Sequence, residues 1–138
     1  MGVRIEPAIA ANRAAVVALW QASGLTRPWN DPAADFDLAL TNPTSAVLLA
    51  RDGPALVGSV MVGFDGHRGW VYYLATDPGR LGQGIGKALV QAAEQWLKTF
   101  GCLRIRLMVR DDNLAARGFY AAIGYDDQAI VTMGRTLD

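Results

Sequence analysis

The strongest constraint on the fold is a long amphipathic stretch that follows a run of alternating glycines. Ile85, Leu89, Ala92, Ala93, Trp96, Leu97 and Phe100 recur at i, i+4, i+7, i+8, i+11, i+12 and i+15, with Lys87, Gln91, Glu94, Gln95 and Lys98 opposite, which is the pattern of a helix with one face on a core. Gly101 gives it a stop. Trp70 to Thr76 before it and Leu103 to Val109 after it read as strands. A strand, a helix and a second strand in this order form a crossover, which requires the two strands to run parallel.

The rest of the chain is punctuated at short intervals. Val3 to Glu6 reads as a strand and Ala8 to Ser23 as a helix, with Val16, Leu19, Trp20 and Ser23 at helical spacing and Gly24 after them. A Pro-containing loop, Leu25 to Asp31, leads to a short helix over Pro32 to Thr41 that Asn42-Pro43 ends. Val47 to Ala50 and Leu56 to Phe64, separated by Asp52-Gly53-Pro54, form a hairpin. After the turn Asp65 to Gly69, the strand at Trp70 extends it to an antiparallel meander. A last helix spans Asn113 to Ile123, and Ala129 to Leu137 reads as the final strand. The expected fold class is α+β: a mixed, mostly antiparallel sheet of about six strands with about four helices, all in one domain over residues 1–138.

Composition narrows the function. Thirteen basic residues balance thirteen acidic ones, so the net positive field on which phosphate-backbone binding rests is missing and nucleic acid is not an expected partner. A local group, Arg104, Arg106 and Arg110 with Lys87 and Arg80, has the scale of a small polyanion. A single cysteine, Cys102, rules out an intramolecular disulfide and argues against a cysteine-based zinc site; no metal is expected. Met1 to Pro7 lacks a signal-peptide core and no apolar run approaches the ~20 residues that span a bilayer, so the expected setting is the cytoplasm, without a membrane partner.

The segment Arg80-Leu81-Gly82-Gln83-Gly84-Ile85-Gly86-Lys87 joins the first strand of the crossover to its helix. Glycines at alternate positions bare the backbone N–H groups just where the helix dipole favours negative charge, which suits a phosphate or pyrophosphate; a tight packed turn is the plain alternative. Two familiar phosphate loops fail on spacing. In G-x-G-x-x-G the third glycine falls on Lys87 or Leu89, and in G-x-x-x-x-G-K-[ST] the first glycine falls on Leu81 and the hydroxyl on Ala88.

The loop instead resembles the acyl-CoA pyrophosphate loop of the GNAT superfamily, [QR]-x-x-G-x-[GA], with Leu81 where Gln or Arg is usual. A second stretch, Asn113-Leu114-Ala115-Ala116-Arg117-Gly118-Phe119-Tyr120-Ala121-Ala122-Ile123-Gly124-Tyr125, fits that family's N-x-x-A-x-x-F-Y-x-x-x-G-[FY] segment at every specified position. The two motifs stand in the right order, with one helix and one strand between them, and the loops resemble those of small bacterial YpeA-type members. The resemblance implies acetyl-CoA as cofactor. Gly82, Gln83, Gly84, Ile85, Gly86 and Lys87 would hold its pyrophosphate through main-chain amides, with Arg80 as the available substitute for the missing side chain at Leu81. It also implies a splayed parallel pair whose first strand offers Leu74, Ala75 and Thr76 to the pantetheine, with Asn113 contacting that arm.

The activity implied is transfer of acetyl to a primary amine by direct attack in a ternary complex, the amine belonging to a small molecule or a protein. Tyr120 matches the family's proton donor to the departing thiolate; packing beside Phe119 is its structural alternative. No general base declares itself among Asp31, Asp65, His67, Tyr72 and Tyr73, and His67, the only histidine, sits in a turn. The acceptor side is expected from Arg27, Trp29, Asn30 and Asp31 with Asp65, His67 and Tyr72. Its cleft is either open or completed by the neighbouring subunit of a homodimer. The competing readings are an acyl-CoA-binding sensor or partner module without turnover, and a plain interaction domain.

Overall fold

Alternating apolar residues in the middle of the chain build a sheet that is buried on both faces. In strand β2 (Ser45–Asp52), Val47 and Leu49 join one apolar cluster while Leu48 and Ala50 join the other, as the two-residue period of a strand dictates. The computed structural model describes residues 2–137. They divide into two compact units, one ending at Met108 and the other beginning at Val109.

The first unit holds β1 (Arg4–Pro7), a short 3₁₀ turn, α1 (Arg13–Ala22), α2 (Pro32–Thr41), β2, β3 (Ala55–Phe64), β4 (Gly69–Thr76), α3 (Ile85–Lys98) and β5 (Ile105–Leu107). The strands lie in the order β1-β2-β3-β4-β5. Every pair is antiparallel except β4 with β5, which is parallel, as the crossover requires. One face packs on α3 through Ile85, Leu89, Ala93 and Leu97. The other packs on α1 and α2 through Val16, Leu19, Trp20, Phe36 and Ala39.

α3 lies close enough to the sheet to dictate sequence beneath it. A Cβ added at Gly58 would stand 2.8 Å from both Ile85 Cγ2 and Leu89 Cδ1 and 3.0 Å from the Ala75 carbonyl oxygen. We therefore expect Gly58→Val to cost about 1–3 kcal/mol, the usual penalty of overpacking, seen as a lower urea midpoint with an unchanged denaturant slope. A neutral result would mean that α3 rides higher on the sheet.

The second unit contains α4 (Leu114–Ala122), whose N-cap is Asn113. The sequence predicts a sixth strand over residues 129–137, but none of them is in a strand, and among the described residues the sheet has five. The Asp127 carboxylate accepts the Ala129 N–H at 2.8 Å and Ala129 adopts φ 54°, a turn that breaks the extended chain. Among the described residues the second unit has no strand with which 129–137 could pair. β5 is likewise shorter than the expected Leu103 to Val109. Its approach is held in a turn by Cys102 N–H donating to the Leu97 carbonyl and Cys102 Sγ–H donating to that of Arg104. No helix among the described residues is long and apolar enough to cross a membrane.

Candidate functional site

The glycine loop is shaped by its backbone. Gly82 and Gly84 adopt φ 79° and 81°, left-handed values that side chains resist, and Gly84 is the N-cap of α3. The first turn of the helix closes with a bond from the Ala88 N–H to the Gly84 carbonyl at 3.0 Å. Helix geometry therefore leaves the N–H groups of Ile85, Gly86 and Lys87 without an intrahelical acceptor. Gly82, Gln83, Gly84 and Lys87 are exposed, whereas the Ile85 side chain is buried and anchors the turn. A Cβ at Gly82 or Gly84 would meet nothing within 4 Å, so these glycines serve conformation and access, not packing. The residues present fit an acyl-CoA pyrophosphate. Arg80 does not fill the place left by Leu81 as a free cation: its guanidinium lies 2.6 Å from Asp52 Oδ2 and 3.8 Å from Asp77 Oδ2. Leu81 itself is 69% exposed.

Beside the loop the parallel pair opens. β5 partners β4 only at Gly69, Trp70 and Val71, so β4 continues through Thr76 with no β5 partner. The side chains of Leu74 and Ala75 pack into the two apolar clusters, and Ser23 Oγ–H donates to the Thr76 carbonyl at 3.4 Å. What Leu74 and Ala75 can offer a ligand is therefore main chain, and Thr76, half-buried, has its carbonyl already engaged. Within the same stretch the register against β3 slips by one residue between Tyr72 and Ala75, a β-bulge, and Tyr73 takes φ 53°. A bulky residue held there costs roughly 1–3 kcal/mol. The cost is offset by contacts: Tyr73 stacks on Trp20 at 4.0 Å and 7°, and its hydroxyl donates to Asp35 Oδ2 at 2.6 Å. Trp20 Nε1–H in turn donates to the buried Ser59 Oγ at 2.9 Å. Burial, with Asp35 beside it, raises the Tyr73 pKa far above the ordinary phenol value, which removes it as a base at neutral pH.

On the α2 side of β4 lies a cavity of about 800 Å³. Of the predicted acceptor residues, Asn30, Asp65 and Tyr72 line it; Arg27, Trp29, Asp31 and His67 do not. Arg27 is committed to its own loop, donating to the carbonyls of Gly24 and Thr26. Asp31 caps α2 by accepting the Ala34 N–H, Trp29 is 70% exposed, and His67 is exposed in its turn. Asp65 organises that turn, accepting from Arg68 N–H at 2.7 Å, His67 N–H at 2.8 Å and Trp70 Nε1–H at 3.1 Å. Those bonds hold its pKa below the ordinary carboxylate value and make it a poor base. Asp35, missed in the sequence, also lines the cavity. A lone acid in the first turn of a helix reads as a complement to the helix dipole, and its partner Tyr73 lies 38 residues away.

In the second unit, Asn113 Oδ1 accepts the Ala116 N–H at 3.1 Å, so the cap is real and the side-chain N–H₂ is left for other use. Tyr120 is half-buried, edge-on to Phe119 at 5.0 Å and to Tyr125 at 5.7 Å. Burial pushes its pKa up to about 12, which keeps the phenol protonated across the neutral range.

The sequence model of the acetyltransferase (GNAT) family matches residues 14–125. An acetyltransferase of Pectobacterium atrosepticum is 43% identical over 123 residues, covering 89% of this chain and 87% of that protein. One of Yersinia enterocolitica is 41% identical over 122 residues, covering 88% and 86%. Among solved structures, AAC(6')-Iy in complex with the bisubstrate analogue CoA-S-monomethyl-acetylneamine superposes with a TM-score of 0.86 at 15% identity, each chain covered completely. A predicted acetyltransferase with acetyl-CoA from Clostridium acetobutylicum gives 0.79 at 15% identity, with 96% of each covered. At such identity the structural likeness speaks for the fold.

Proposed function

The chain belongs to the GNAT acetyltransferase family, and from that premise we propose that it transfers acetyl from acetyl-CoA to a primary amine by direct attack in a ternary complex. The observation that carries the reading is the pairing of an anion-ready loop, with Gly82 and Gly84 left-handed and the amides of Ile85 to Lys87 unspent, with a β4 that parts from β5 beyond Val71. The family match runs through both compact units, which supports reading residues 1–138 as one functional domain. The single buried thiol, Cys102, fits a reducing cytoplasm. The complexed structural neighbours, one with a CoA bisubstrate analogue and one with acetyl-CoA, support the cofactor assignment.

Bound acetyl-CoA supplies an activated thioester whose carbonyl carbon a neutral amine attacks, with expulsion of the CoA thiolate. The residues of the chain do the rest. Amides from Gly82 to Lys87 hold the pyrophosphate at the positive end of α3. Main-chain groups of Leu74, Ala75 and Thr76 align the arm and polarise the carbonyl, while the Asn113 side-chain N–H₂ contacts the arm. Tyr120 donates its phenolic proton toward the sulfur as negative charge develops there, and regains one from solvent. The amine sheds its proton to solvent water, since neither Asp65 nor Tyr73 is suited to take it.

Release of free thiol on adding acetyl-CoA together with a panel of primary amines tests this reading against that of a CoA-binding sensor. The transferase reading expects amine-dependent release for at least one amine. CoA binding with release at the no-amine rate across the panel would favour the sensor. Because AAC(6')-Iy, which shares the fold, is known in complex with a neamine-bearing bisubstrate analogue, the panel includes amino sugars.

A further inference from the structure

The cavity on the α2 side of β4 has a chemistry of its own. Two carboxylates, Asp35 and Asp65, and the aromatic rings of Trp70, Tyr72 and Tyr73 line it, and none of its lining residues is lysine, arginine or histidine. The carboxylates differ in their commitments. Asp65 is engaged by three donors of its own turn, whereas Asp35 is steadied through Oδ2 by the Tyr73 hydroxyl at 2.6 Å. Tyr73 is in turn fixed by its stack on Trp20. A carboxylate held by one neutral donor keeps acceptor capacity for a charged ligand. Aromatic faces beside it attract a cation and an apolar body alike.

We propose that this cavity admits amines that carry positive charge on an apolar or aromatic body, with Asp35 as the anionic contact that selects them. The inference rests on the reading of the chain as an amine acetyltransferase and names the class of acceptor. An amine that also bears a carboxylate near its nitrogen is disfavoured, because that carboxylate meets the same two acids. Burial first, and then the negative charge of Asp65, raise the Tyr72 phenol pKa, so this ring stays neutral beside the two acids. An acceptor held through a second cationic group keeps its reacting nitrogen free to be neutral.

Calorimetric titration with 2-phenylethylammonium, 2-phenylethanol and 3-phenylpropanoate reads the selection without turnover. The expected result is a preference of about tenfold or more for the ammonium over the alcohol, the scale of one charge-assisted hydrogen bond, and no binding of the carboxylate. Asp35→Asn should bring ammonium and alcohol within about twofold, while Tyr73→Phe, which keeps the charge, should retain the preference. Equal affinity for ammonium and alcohol, tighter binding of the carboxylate, or an unaltered preference in Asp35→Asn overturns the proposal. If Asp35→Asn does not fold, salt decides with the native chain: the preference must shrink as ionic strength rises, and one unmoved by salt overturns it. Titration with acetyl-CoA alongside separates the two readings, because absent CoA binding with intact ammonium selection defeats the transferase and leaves the cavity's selectivity standing.

Discussion

Tyr120→Phe is expected to lower turnover by roughly 10²- to 10⁴-fold while leaving the dissociation constant for acetyl-CoA nearly unchanged. The substitution keeps the ring and its edge-on contacts with Phe119 and Tyr125 and removes only the hydroxyl, and the range is that of general-acid assistance. Because burial pushes the phenol up to about 12, it remains a donor well beyond neutral pH. The native turnover profile should therefore show no falling limb from this group below about pH 10, the pKa of a free tyrosine. A phenol of this strength gives up its proton reluctantly, so its help comes late, as the sulfur takes on full charge. Single-turnover thiol release with a working amine makes the comparison where chemistry limits the rate. Equal rates for the two proteins would mean that solvent protonates the thiolate and that Tyr120 only packs.

The second large effect concerns stability. Trp20→Ala should cost about 3–5 kcal/mol, the range for deleting a fully buried large aromatic, out of a typical total of about 5–15. Trp20 has no exposed surface, meets Phe36 edge-on at 6.4 Å, stacks on Tyr73 and satisfies Ser59. Losing it opens a cavity, leaves a buried hydroxyl without its donor and frees the residue that holds the β4 bulge. Trp20→Phe, which can keep the stack and loses the hydrogen bond, should fall between. Chemical denaturation of the three proteins checks the order; a Trp20→Ala loss below about 1 kcal/mol would show that the bulge and core are held by other contacts.

Tyr120 and Tyr73 illustrate what the sequence disclosed and what it withheld. α3 and the meander were legible because hydrophobic period is local, and the turn before α3 because alternating glycines mark left-handed backbone, while its role toward a pyrophosphate comes from the family resemblance alone. Tyr120 was reached through a motif. Tyr73, by contrast, was one of several titratable candidates, and nothing near it in sequence announces a bulge: its stack on Trp20 and its bond to Asp35 are made across the fold. Asp31 carries a local signal of its capping role, since an Asp immediately before Pro32 at a helix start is a cap. The strand expected over residues 129–137 rests on the chain's residue types alone, but a strand also needs a neighbour, and local composition does not supply one.

Calorimetric titration of the protein with acetyl-CoA, repeated on Gly84→Val, tests the central claim most directly. A valine Cβ at that position meets no neighbouring atom but cannot readily take φ 81°, so the loop that offers the amides should deform while the core beneath it stays intact. One-to-one binding by the native chain, weakened about tenfold or more in the variant with a melting temperature lowered only slightly, is the result expected of a backbone cradle for the pyrophosphate. No saturable heat at millimolar acetyl-CoA, or binding that the variant keeps in full, would contradict it.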